Sequence, residues 1–155
     1  MGDDRLTEFE FLLGTWKGDG HGHYPTISDF AYREEVVFSA TPKPFLTYQQ
    51  RTWAADDGRP LHVETGYLRM LADGQAELVV AQPTGIAEVH AGRLEVVGEE
   101  RRVTFVSTAV GCSPAAKSVT AVTRTFSLES GRLAIDLSMA AVGQPMTHHL
   151  LSLIH

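Results

Sequence analysis

The feature that most constrains this chain is its punctuation. Extended runs follow one another from end to end, separated by turn residues, and no helical stretch is long enough to serve as a crossover. The runs are Gly14 to Tyr24, Phe30 to Ser39, Phe45 to Ala54, Leu61 to Met70, Glu77 to Gln82 and Ile86 to Ala91. They continue through Leu94 to Val97, Val103 to Val110, Lys117 to Leu128, Arg132 to Ala141 and Met146 to Ile154. Between them lie Thr41-Pro42-Lys43-Pro44, Asp56-Asp57-Gly58, Ala72-Asp73-Gly74 and Pro83-Thr84-Gly85, whose residues favour tight turns. Only Leu6 to Leu13 reads as a short helical turn. Roughly ten strands joined by hairpins form an antiparallel meander, and closing it into a barrel removes the exposed edges. The expected fold is therefore all-β, a roughly ten-stranded antiparallel β-barrel. Such a barrel encloses a cavity, so function turns on what lines it.

The 155 residues suit one domain, 1–155, with no linker or repeat. Hydrophobic residues make up 43% and charged residues 21%, the balance of a globular protein, and no apolar run reaches bilayer length. The start, Met1-Gly2-Asp3-Asp4-Arg5, lacks the apolar run of a signal peptide, and Leu6 stands where myristoylation needs Ser or Thr. Cys112 is the sole cysteine, which rules out an internal disulfide and points to the cytoplasm. A net charge of −6 without basic clusters argues against nucleic acid as a partner.

The last hairpin carries the most chemical information. Val142-Gly143-Gln144-Pro145 reads as a turn centred near Gln144. Symmetric pairing would set Met139 across from His149, Leu137 across from Leu151 and Ile135 across from Leu153. That face is large and apolar apart from His149, so it should point inward, with His148 turned outward. A lone inward imidazole is either a hydrogen-bonded core residue or a ligand for haem iron, and periodicity does not separate the two. His21 and His23 share a face, but two ligands are too few for zinc. Glu34 and Glu35 are adjacent in a strand, so they point apart and cannot act as a catalytic pair.

Gly14-Thr15-Trp16-Lys17-Gly18-Asp19-Gly20 matches the pattern G-x-W-x-G-x-G, an opening similar to that of lipocalins and fatty-acid-binding proteins. There the Trp plugs one end of the barrel, and the glycines permit strand bending and close packing. Further blocks follow in order. They are Tyr24-Pro25-Thr26-Ile27 with Phe30-Ala31-Tyr32-Arg33-Glu34-Glu35, then Pro60-Leu61-His62-Val63-Glu64-Thr65-Gly66-Tyr67-Leu68-Arg69, then Gln82-Pro83-Thr84-Gly85. Met139-Ala140-Ala141 and Thr147-His148-His149-Leu150 close the set. Together these blocks resemble the nitrobindin family across essentially the whole chain.

The resemblance implies a barrel that holds one haem b per chain, with His149 as the axial ligand of the iron, and that isomerises peroxynitrite to nitrate. Alternation and resemblance thus select the same histidine. The family's pocket positions fall on Thr26, Phe30, Leu61, His62, Gln82 and Met139. Lys117 stands where it would pair with a haem propionate or else remain a solvated surface lysine, and His62 faces either the distal side or the rim. The resemblance also implies nitric oxide as a ligand and a monomer or homodimer. Two readings stay open beside it. One is a haem carrier or nitric oxide sensor without turnover, and the other a carrier of a fatty acid or similar apolar ligand.

Overall fold

In a computed structural model, residues 4–155 are described, and the first three residues of the N-terminal reading lie outside them. A short helix α1 (Asp4–Phe9) and a 3-10 turn (Glu10–Leu12) lead into ten strands. These are β1 (Gly14–Tyr24), β2 (Ile27–Ala40), β3 (Phe45–Ala54), β4 (Pro60–Met70), β5 (Gln75–Gln82), β6 (Ile86–Val97), β7 (Glu100–Cys112), β8 (Val119–Glu129), β9 (Arg132–Ala141) and β10 (Thr147–Ile154). Each strand pairs antiparallel with its neighbours in sequence, and β1 pairs with β10, so the barrel closes. No helix among the described residues is long and apolar enough to cross a membrane.

The sequence pattern splits Ile86–Ala91 from Leu94–Val97 at Gly92, but β6 runs unbroken through both. Gly92 pairs with Phe105, and a Cβ there would strike the Phe105 ring. The glycine is a place for an aromatic ring, not a turn.

One end of the barrel is plugged. Phe9 and Leu12 are fully buried and pack with Phe38, Leu46, Leu68, Leu78, Phe105, Phe126 and Leu133 in a single apolar cluster. Trp16 lies against this cluster and donates its indole N–H to the Leu12 carbonyl at 2.8 Å. Glu8 accepts the Gly74 backbone N–H at 2.9 Å, tying α1 to the β4–β5 turn. The turns at 24–27, 54–60, 82–86, 112–119 and 141–147 all lie at the opposite end, because successive antiparallel strands reverse direction. Backbone bonds stitch this rim together, from Ser113 to the Gly85 carbonyl at 2.8 Å and from Val142 to the Ser118 carbonyl at 2.9 Å.

The glycines of β1 work by absence. A Cβ on Gly20 would meet the Tyr32 ring, and one on Gly22 the Phe30 ring. Gly18 faces backbone instead, where a Cβ would lie 2.8 Å from Ile154 Cα and overlap the Leu153 carbonyl oxygen. Backbone on the closing strand cannot yield as a side-chain tip can. Gly18→Ala is expected to destabilise by about 3 kcal/mol, the upper range for overpacking. A denaturant midpoint equal to wild type would remove that account of the motif.

The final hairpin departs from the symmetric reading. Its turn is tighter and earlier, with the Ala141 carbonyl accepting from Gln144 N at 2.9 Å and positive φ at both Val142 (46°) and Gly143 (82°). Met139 therefore pairs with Thr147 and not His149, and Ser138 pairs with His148. A bulge follows, after which Leu150 pairs with Leu137 and Ser152 with Ile135. The extra residue reverses the outer half of the strand. Ser152 and Ile154 are buried, whereas Leu151 and Leu153, expected inside, are 41% and 48% exposed.

Candidate functional site

His149 is the residue the bulge inserts. It has no partner in the β9–β10 register, and its ring lies edge-on to Tyr24 at 5.4 Å and to Phe30 at 6.3 Å between centroids. Tyr24 is itself buried and donates its hydroxyl to the Met139 carbonyl at 2.9 Å, while accepting from Ala141 N at 3.0 Å. The end of β1 is thereby sewn to β9, and Phe30, Met139 and His149 are gathered around one mouth.

The imidazole is held by a single polar contact. His149 Nδ1 donates to the His23 backbone carbonyl at 2.9 Å. A carbonyl only accepts, so Nδ1 carries the proton and Nε2 keeps a free lone pair. Burial lowers the pKa of His149 below 6.5, with the nearby histidines His23, His148 and His62 acting in the same direction and the His23 bond opposing. A neutral ring with its tautomer set by a backbone acceptor is the donor that haem iron requires. The residues present therefore fit the cofactor.

This depressed pKa has a consequence for stability. Below pH 6.5 the unfolded chain takes up a proton at this position before the folded one does, so stability falls as pH drops from 6.5 through the folded value. Apo protein should lose denaturant resistance as pH falls below 6.5, with a shallower loss in His149→Gln. Equal slopes for the two proteins would contradict the assignment.

The eight residues singled out from sequence all map to the rim end, though with different surroundings. Thr26 is exposed in the β1–β2 turn, Leu61 is 40% exposed at the start of β4, and Lys117 is exposed in the β7–β8 loop. Phe30 and His149 meet as described, and Met139 is tied to the same end through its backbone carbonyl on Tyr24. His62 and Gln82 are half-buried and point to a part of the molecule that sequence reasoning missed.

Below them lies a layer of buried charge. Arg124 on β8 donates to both oxygens of Glu64 on β4, at 2.5 and 3.3 Å, and to both oxygens of Glu88 on β6, each at 3.0 Å. His62 Nε2 bonds Glu64 at 3.0 Å, and Tyr48 donates to the same carboxylate at 2.8 Å. Gln82 donates its amide to Glu88, which also accepts from His90 Nε2 at 2.8 Å. Burial alone would raise the Glu64 and Glu88 carboxyls, but the Arg124 charge and these donors outweigh it and hold both below the usual carboxylate range. Glu34, by contrast, is raised by burial, and it accepts from Gln50 at 2.8 Å and Ser152 at 2.5 Å. The signal for this layer was present in the pattern. Arg124 falls in phase with Val122 and Phe126, and Glu64 with Leu68 and Met70, all of them buried.

Outside the mouth, His148 turns away from the barrel, donating from Nε2 to Asp136 at 2.6 Å and meeting His23 Nε2 at 2.9 Å. His21 and His23 are both exposed, and His23 thus gains a neighbour from β10.

With this geometry in place, similarity to known proteins decides the family. Residues 5–155 match the family described as "THAP4-like, heme-binding beta-barrel domain". The chain belongs to that family. A peroxynitrite isomerase of Nocardia farcinica is 52% identical over 139 residues, covering 90% of this chain and 83% of the relative. Peroxynitrite isomerase 1 of Mycobacterium tuberculosis is 48% identical over 147 residues, covering 93% and 90%. The crystal structure of Rv2717c from M. tuberculosis superposes with a TM-score of 0.94 at 45% identity, covering 99% of this chain and 97% of that one. As a THAP4-like haem-binding barrel, the chain carries the nitrobindin fold that its motifs resemble.

Proposed function

We propose that residues 1–155 act as one domain that seats a single haem b, with His149 Nε2 as the protein ligand to iron, and isomerises peroxynitrite to nitrate. The observation that carries this reading is the His149–His23 carbonyl bond, which leaves a neutral nitrogen free at an apolar mouth. The names of the relatives, all at about half identity, supply the reaction.

When bound, haem would supply an iron centre for breaking the O–O bond of peroxynitrite and joining the terminal oxygen to nitrogen as nitrate. The chain does the rest. His23 fixes the tautomer and angle of His149 through its carbonyl. Phe30, Leu61 and Met139 would provide the apolar surround, and Thr26 and Lys117, exposed in the rim turns, would meet the propionates. His62 and Gln82 form the polar side. Nitric oxide binds at the same place, and the protein works in the cytoplasm as a monomer or homodimer. The charged layer around Arg124 occupies the barrel interior below the mouth, which argues against an acyl chain running down an apolar bore.

Stopped-flow decay of peroxynitrite with the haem-loaded protein tests the reading. Acceleration with nitrate as product is expected, and its loss in His149→Ala. Decay no faster than with free haem, or unaffected by the substitution, overturns it.

A further inference from the structure

Arg124 is too deep to touch a ligand at the mouth, being 3% exposed, yet it is bonded to the two carboxylates that hold the pocket's polar residues. We propose that Arg124 is a positioning residue: by clamping Glu64 and Glu88 it fixes the imidazole of His62 and the amide of Gln82 in one orientation each, leaving His62 Nδ1 and Gln82 Oε1 as the atoms offered to a ligand.

An ionised carboxylate only accepts. Glu64 is ionised beside Arg124, so the His62 nitrogen facing it, Nε2, must carry a proton, and Nδ1 is the nitrogen left unbonded to the carboxylate. Glu88 likewise compels Gln82 to turn its Nε2 inward, which sends Oε1 the other way. Neither choice is open to the side chain alone, since a free imidazole exchanges tautomers and a free amide rotates. The two carboxylates come from β4 and β6 and would repel each other without the guanidinium between them. Its planar fork, with Nε and Nη2 on Glu88 and Nη1 and Nη2 on Glu64, sets their spacing. Tyr48 adds a third fixed donor on Glu64. His90 closes the far side, donating Nε2 to Glu88 while its Nδ1 is buried with no partner among the described residues.

The inference rests on the proposed haem seat for its meaning, but it is read on apo protein and so fails separately from it. The measurement is the tautomer of His62 in imidazole-15N-labelled apo protein at about pH 9, where histidines are neutral, by long-range 1H–15N spectra. Wild type should show a single Nε2–H tautomer. Arg124→Lys keeps the charge but offers one ammonium to two carboxylates, and the minor tautomer should rise by about tenfold, the scale of one lost charge-assisted bond. The exposed His21 serves as the unmoved control within the same spectrum. If Arg124→Lys does not fold, Arg124→Met with Glu64→Gln and Glu88→Gln removes the charges together, and the same mixing is expected. A mixed tautomer in wild type, or a single Nε2–H tautomer surviving in a folded variant, overturns the proposal. Altered tautomers with haem affinity at the wild-type level would instead show that His62 is positioned as proposed but does not bear on the haem seat.

Discussion

Replacing Arg124 by methionine should destabilise the protein by about 3–5 kcal/mol, the cost of leaving a buried ionic partner uncompensated. Two carboxylates depend on it. Glu64 and Glu88 are each nearly inaccessible, and both accept two N–H bonds from the one guanidinium. The pH dependence should change with it. In wild type both carboxyls are depressed below 4.5, so the stability they contribute is fully present above that pH and is lost as pH falls through their folded values. In Arg124→Met the main charge that offsets burial is gone, and both carboxyls rise. The variant should then gain more stability than wild type on acidification toward pH 4.5. Adding Glu64→Gln and Glu88→Gln should recover most of the loss, since replacing a whole buried ionic group is often near neutral. Urea unfolding of the three proteins at pH 7 and pH 5 decides the matter. A single substitution costing under about 1 kcal/mol, the level of exposed ion pairs, would mean that the layer is solvated.

Removing the imidazole of His149 should lower ferric haem affinity by at least about 100-fold, more than is usual for loss of a residue that only orients a ligand. His149→Gly is the informative variant because it leaves a ring-sized gap beside Tyr24 and Phe30. Added imidazole should enter that gap and restore the Soret band and tight binding. Rescue would establish ligation apart from any effect on folding. Unchanged haem affinity in the glycine variant would move the ligand elsewhere, with His62 the nearest alternative on the polar side of the mouth.

Much of this molecule is legible along the chain. Period-two alternation in β2, β3 and β8, with turn residues between runs, is enough for an all-β antiparallel barrel, because hydrogen-bond geometry leaves a meander few other ways to hide its edges. The motif around Trp16 and the blocks through Leu150 suffice for the family, and the rim residues follow from it. Three things were not legible. Register in the last hairpin turned on one inserted residue, and a two-residue turn at Val142-Gly143 with a bulge at His149 reversed every side chain beyond it. His149 reaches the mouth through that bulge and not through the regular alternation that first singled it out. Gly92 read as a break because a missing side chain looks the same in a turn and beneath a ring.

The sequence by itself determined the class of fold and the family, because these depend on local alternation and on motifs contiguous in the chain. Only the tertiary structure decided that Arg124, Glu64 and Glu88 form one clamp beneath His62 and Gln82. Those residues are tens of positions apart, on strands that are not all neighbours in the sheet, and closure of the barrel is what brings their inward faces within hydrogen-bonding reach. A charge in phase with apolar neighbours reveals that it is buried, but its partner is set by which strands face each other across the interior, and no local pattern encodes that.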